Sequence, residues 1–179
     1  MMSKHNHSTS SPSAHHEHKE HAPRQVTCMV ITCSDSRTPE TDTSGQLIMR
    51  LLRENGHEVA AYRLVKDEPT EIRKQINAGL KDKAVQAIII NGGTGISRRD
   101  STFEAVDAML EKRLDGFSEI FRYLTYKEIG SPAIMSRATA GLVRGRIVFS
   151  TPGSENAVRL AMEKLIIPEL GHMIRELTK

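Results

Sequence analysis

Tryptophan is missing from this chain, and aromatic residues make up only 4% of it. So few aromatic faces leave little for nucleobases to stack on. Lys and Arg are spread along the chain rather than gathered into a basic stripe, so no nucleic-acid partner is expected. No stretch approaches the roughly 20 apolar residues needed to span a bilayer, and the first residues carry no apolar signal core. A membrane partner is therefore not expected either. The only cysteines, Cys28 and Cys33, lie within one apolar strand pattern. Their spacing is not that of a zinc or redox pair, and two positions in one strand suit a disulfide poorly. Two buried free thiols in a reducing compartment, hence a cytoplasmic protein, is the expected outcome.

What the chain does contain points to one domain. Its 179 residues are 38% hydrophobic and 26% charged, with a mild net charge of +3. Residues 1–24 hold six of the eight histidines and almost no apolar side chains, so they are expected to form a disordered tail before a single domain over 25–179. Scattered histidines of this kind bind zinc, nickel or copper adventitiously more readily than at a dedicated site.

Strand and helix patterns alternate along the rest. The β-branched run 26–34 reads as a strand buried on both faces, followed by a helix over 41–56 that Thr43 or Ser44 would cap and Gly56 would end. A strand over 57–65, a helix over 69–80 and a strand over 84–90 come next. Helices over 101–110 and 116–130, a strand over 146–150 and a helix interrupted at Pro168 complete the series. This order predicts a three-layer α/β/α fold around a mainly parallel sheet.

In such sheets ligands sit beyond the carboxyl ends of the strands. The segments there are "SDSRT" (34–38), "KDEPT" (66–70), "NGGTGISRRD" (91–100) and "TPGSEN" (151–156), all rich in hydroxyls, carboxylates, glycine or arginine. Any one of them is ordinary turn chemistry; four on one rim favour a site. The glycine loop fits neither common phosphate pattern. It has no Gly-Lys-Ser/Thr, and Arg98 stands where a dinucleotide fingerprint needs its third glycine after Gly93 and Gly95.

What remains is a loop whose bare backbone N–H groups can approach an anion, with hydroxyls from Thr94 and Ser97 and charge from Arg98 and Arg99. Ser101 and Glu104 spell a capping box for the next helix, which leaves Asp100 spare for chemistry. Asp67 and Asp100 near such a loop could hold Mg²⁺ that bridges substrate phosphates, or orient an attacking oxygen. Asp35 and Arg37 either orient a polar ligand or pair with each other. Of the later arginines only Arg137 is retained as a candidate.

Four stretches together resemble the MoaB/Mog family of molybdenum cofactor biosynthesis: "NGGTGISRRDSTFEAV", "GFSEIFRYLTYKEIG", "SRATAGLVRGRIVFSTPGS" and "MEKLIIPELGHM". The middle and C-terminal stretches resemble the MoaB branch in particular. The resemblance implies a three-layer α/β fold that binds molybdopterin, a pterin dithiolene carrying a phosphate. Relatives of the Mog type adenylate that phosphate with ATP and Mg²⁺; a molybdopterin carrier without catalysis is the alternative. It also implies a homo-oligomer, trimer or hexamer, and a molybdenum-insertion protein as a possible partner. The family's functional aspartates fall on Asp67 and Asp100. Its substrate loop falls on Gly92, Gly93, Thr94 and Gly95, with further contacts from Ser136 and Ser154. Ser34, Asp35, Ser97, Arg98, Arg137, Pro152 and Gly153 complete the expected substrate-binding set. This chain departs from the family in having Asn91 for the usual Thr, and Glu155 where a small residue or Pro usually follows "PGS".

Overall fold

A computed structural model describes residues 23–179. The expected tail falls outside this range, except for its last two residues. Strands β1 (Thr27–Cys33), β2 (Glu58–Val65), β3 (Ala87–Asn91), β4 (Lys112–Arg113), β5 (Thr139–Val143) and β6 (Arg146–Thr151) form one sheet in the order β2-β1-β3-β6-β5-β4. Neighbours among β2, β1, β3 and β6 pair in parallel, and β5 runs antiparallel to both β6 and β4. The sequence signals missed β4 and β5. β4 is two residues long, and β5 begins "TAG" with little β-branched bulk. Gly141 is required there, because a Cβ would meet Lys112 O at 2.2 Å.

The central strands have no polar face, so both sides need a helical cover. On one side Cys28, Val30, Ile89 and Phe149 pack against α1 (Thr43–Glu54), α4 (Asp115–Ile129), α5 (Glu155–Ala161) and α6 (Ile167–Leu177). On the other, Met29, Ile31, Ile88, Ile90 and Val148 meet α2 (Pro69–Lys81) and α3 (Thr102–Asp107). The expected α/β/α layering is present. In α1 the buried face is Leu47, Ile48, Leu51 and Leu52, as the helical spacing predicts.

Two expected details change. Asp42, not Thr43 or Ser44, caps α1, and its Oδ1 accepts from the Gly45 N–H at 3.0 Å. Pro168 does not break the last helix. The chain widens into a π-turn over Met162–Ile166, where the Ile167 N–H reaches back to Met162 O, and α6 continues with Pro168 in its first turn. The missing proline N–H is accommodated at a helix start rather than in an interior.

β1 leads to β2 on one side of the sheet, while β3 lies on its other side. The connections thus diverge between β1 and β3. A crevice at that point, beyond the carboxyl ends, is where this architecture places ligands.

Candidate functional site at the carboxyl edge of the sheet

A cleft of about 420 Å³ opens at this edge. It is lined by Cys33, Ser34, Ser36 and Arg37 after β1, by Gly92 to Gly95 and Asp100 after β3, by Met135 and Ser136, and by Pro152 and Gly153 after β6. Nine of the expected site residues therefore share one wall: Ser34, Gly92, Gly93, Thr94, Gly95, Asp100, Ser136, Pro152 and Gly153.

The glycine loop lies where side chains do not fit. Gly92 (φ +99°) packs on β1, where a Cβ would stand 2.1 Å from Cys33 O. At Gly93 (φ +56°) it would stand 1.9 Å from Asp67 Oδ2, and at Gly95 2.6 Å from Asp100 Oδ2. Gly153 presses on the same loop, 2.9 Å from the Gly92 Cα by the same measure.

Three successive carbonyls of the loop are tied back. Gly93 O accepts from the Thr102 N–H at 2.9 Å. Thr94 O accepts from Arg137 Nε at 2.8 Å, and Gly95 O from Arg137 Nη2 at 2.5 Å. In a trans peptide the N–H points opposite to its own carbonyl. The N–H groups of Thr94, Gly95 and Ile96 thus point away from α3 and Arg137, and no described residue accepts from them. Consecutive free N–H groups of this kind form an anion-binding concavity.

Arg137 is therefore engaged with the loop's backbone rather than with the cleft. Its remaining nitrogen pairs with Glu104 at 2.5 Å, and its guanidinium lies 4.7 Å over the Phe103 ring. The Arg137 hydrogen bond holds the Glu104 carboxyl below its ordinary range.

Glu104 is consequently unavailable for the expected capping box. Ser101 makes no side-chain cap to α3, because its Oγ donates to Asp67 Oδ1 at 2.8 Å instead. Asp67 Oδ1 also accepts from Ser101 N–H at 3.0 Å and Thr102 Oγ1 at 3.1 Å. The carboxylate that anchors α3 is thus 34 residues away in sequence, which a local capping pattern cannot reveal. Asp100 is not spare in the expected sense, since its Oδ2 accepts from the Ser97 N–H at 2.9 Å.

Asp67 lies behind the loop, only 6% exposed, and Asp100 lines the cleft. Each retains one carboxylate oxygen, Asp67 Oδ2 and Asp100 Oδ1, for which no partner is present among the described residues. No group of three or more His, Cys, Asp or Glu gathers there. That donor set fits Mg²⁺, which takes one or two carboxylates and completes its shell with substrate phosphates and water.

Asp35, Ser97, Arg98, Arg137 and Ser154 sit off the cleft wall. Asp35 and Arg37 do not pair with each other. Asp35 binds Arg99 at 2.7 Å, which lowers its carboxyl from the usual range, and Arg99 also holds Glu68 at 2.6 Å. Arg37 lines the cleft and donates to Asp42 at 3.0 Å and to Gly153 O at 2.8 Å. Ser97 and Arg98 are exposed on the outer turn, and Ser154 caps α5 by accepting from the Ala157 N–H. Sequence reasoning missed Cys33, Ser36 and Met135 as lining residues; only their position beside expected ones could have suggested them. Cys28 and Cys33 are free and buried, and burial pushes both thiols up to about 12.

Fold and cleft together define a class: an α/β protein with a glycine loop that presents unpartnered N–H groups at its topological switch point. Residues 29–172 match the family described as "Probable molybdopterin binding domain". The chain is 56% identical over 164 residues to molybdenum cofactor biosynthesis protein B of Bacillus subtilis, covering 91% of this chain and 96% of that one. The same-named protein of Staphylococcus carnosus is 50% identical over 159 residues, covering 87% and 93%. A crystal structure of molybdenum cofactor biosynthesis protein B superposes with a TM-score of 0.85 at 52% identity, over 88% of this chain and 98% of that one. The tungsten cofactor synthesizing protein MoaB from Pyrococcus furiosus gives 0.79 at 36%, over 88% and 100%. This chain belongs to the MoaB/Mog family of molybdenum cofactor biosynthesis proteins, in its MoaB branch.

Proposed function

We propose that the protein binds molybdopterin and adenylates its phosphate with ATP and Mg²⁺. The observation that carries this reading is the row of free N–H groups at Thr94, Gly95 and Ile96, bordered by Asp67 on one side and Asp100 on the other. Phosphoryl transfer requires little covalent chemistry from a protein; positioning and charge neutralisation dominate. In the proposed reaction an oxygen of the pterin phosphate attacks the α-phosphorus of ATP. The new P–O bond forms as the bond to the β-phosphate breaks, and pyrophosphate leaves. The N–H row receives phosphate oxygens, and Asp67 Oδ2 and Asp100 Oδ1 are the groups that would hold Mg²⁺. Bound there, the ion would offset negative charge on the phosphates.

The alternative is a molybdopterin carrier without catalysis, using the same cleft. Incubation with molybdopterin, ATP and Mg²⁺ followed by mass spectrometry separates the two. Adenylated pterin is expected; pterin retained without product would establish the carrier. Deleting residues 1–22 is expected to leave the product yield unchanged, and its loss would give the histidine tail a metal-handling role. The reading also expects a trimer or hexamer, measured by light scattering. α4 and the turn after it, with Tyr123, Tyr126, Ile129 and Ile134 exposed, are the candidate contact. The expected setting is cytoplasmic; no helix among the described residues is long and apolar enough to cross a membrane.

A further inference from the structure

Adenylation joins two phosphate-bearing substrates, yet the N–H row supplies one anion position. The rest of the cleft wall contains a second set of donors. Arg37 is the only cationic side chain among the residues that line the cleft. Arg98, the cation expected from sequence, is exposed on the outer turn. Arg37 is fixed from behind by Asp42, which is fully buried. Asp42 is in turn held by the Tyr62 hydroxyl at 2.6 Å and the Gly45 N–H at 3.0 Å. With one Arg37 N–H donated to Asp42 and one to Gly153 O, three of the five N–H groups of a guanidinium have no acceptor among the described residues.

Two hydroxyls stand beside it. Ser34 Oγ accepts from the Ser36 and Arg37 N–H groups at 3.3 and 3.2 Å, which leaves its own proton to donate. Ser36 also lines the cleft. The loop gives the cleft a direction. Arg37 is bound to Gly153 O, and Gly153 abuts Gly92, whereas Asp100 abuts Gly95. One end thus carries a fixed cation and hydroxyl donors, the other a carboxylate and the N–H row.

We propose that Arg37, with Ser34 and Ser36, forms a second anion subsite that takes a phosphate monoester, separate from the N–H row beside Asp100. It rests on the two-phosphate reading above and names where the second phosphate sits. Arg37 is prepared for this by Asp42, whose buried oxygens fix the guanidinium before any ligand arrives.

The test titrates the full chain with inorganic phosphate, without divalent cations, and follows the arginine side-chain N–H signals by NMR. The Arg37 Nε–H signal is expected to shift on saturation. Arg37→Met is expected to weaken phosphate binding about ten-fold or more, as loss of a charged hydrogen-bonding partner does. Arg98→Met is expected to stay within about two-fold, and Arg37→Lys to fall between. Binding unchanged in Arg37→Met, or weakened ten-fold in Arg98→Met, overturns the subsite. Should Arg37→Met fail to fold, the wild-type signal and Arg37→Lys decide the matter; an unshifted Arg37 signal at saturation also overturns it. No pterin or ATP is present, so the result stands whether or not adenylation occurs. Conversely, adenylation with an unchanged KM for the pterin in Arg37→Lys would overturn the subsite while leaving the reaction intact.

Discussion

Two carboxylates flank the glycine loop, Asp67 against Gly93 and Asp100 against Gly95, in surroundings that differ in almost every respect. Asp67 is buried and its Oδ1 accepts three hydrogen bonds from Ser101 and Thr102, so it joins the β2 edge of the sheet to the start of α3. Asp100 lines the cleft and accepts one, from the N–H three residues earlier in its own turn. The first holds the site together; the second is held by it. One loop thus has a structural end at Gly93 and an adjustable end at Gly95. The distinction matters because substituting either acid is expected to impair the proposed reaction, for different reasons.

The two glycines separate the ends most sharply. Gly93→Ala puts a methyl 1.9 Å from Asp67 Oδ2 and 2.3 Å from Thr102 Oγ1, at a φ of +56°. Strain and crowding together are expected to cost about 3 kcal/mol or more in urea unfolding. For Gly95→Ala the nearest atoms belong to the Asp100 side chain, at 2.6 Å and without a positive φ. Asp100 can swing aside, so the stability loss is expected to stay under about 1 kcal/mol. Equal losses from both would erase the contrast.

Asp67→Ala comes next. It strands the Ser101 N–H and two hydroxyls in a part-buried setting, with an expected loss of about 2–3 kcal/mol. Asp67→Asn keeps an acceptor toward Ser101 and should lose about 1 kcal/mol. Asp100→Asn is expected to change stability by less than about 0.5 kcal/mol, because an amide oxygen still accepts from Ser97. Its product yield in the molybdopterin and ATP assay is nevertheless expected to fall on the order of 100-fold, the usual scale for losing a group that offsets transition-state charge. Wild-type yield in Asp100→Asn would remove Asp100 from the reaction.

How legible all this was in the sequence follows the same division. Strand–helix alternation showed the parallel part of the sheet and hence the rim, since periodicity and crossover handedness are local or nearly so. The loop from Gly92 to Gly95 was legible for the same reason. The roles of Asp67 and Arg137 were not. Asp67 caps a helix 34 residues ahead, and Arg137 reaches back to Thr94 and Gly95 from 43 and 42 residues away. The Ser101–Glu104 pattern favoured a local capping box, but both partners found stronger ones in tertiary contacts. Of the two readings of Asp35 and Arg37, mutual pairing fails for a similar reason, because Asp42, fixed at the start of α1, takes the Arg37 guanidinium while Arg99 takes Asp35.

The smallest effect concerns the clamp on the adjustable end. Arg137 holds Thr94 O and Gly95 O, and Glu104 holds Arg137. Arg137 keeps the Glu104 carboxyl below its ordinary value of 4.5 in the folded chain. A depressed carboxyl stabilises the fold above its unfolded pKa and loses that contribution as pH falls through the folded one. Glu104 is largely exposed, so solvent screens the pair and the contribution is roughly a few tenths of a kcal/mol. Glu104→Gln should therefore be slightly less stable than wild type near pH 7, and the gap should close as the pH drops below 4.5. The Gly95 and Ile96 amide signals should broaden or shift in the same acid range in wild type, and that change should be absent from Glu104→Gln. The same change at both amides in Glu104→Gln would mean that the Glu104–Arg137 clamp does not govern the loop's adjustable end.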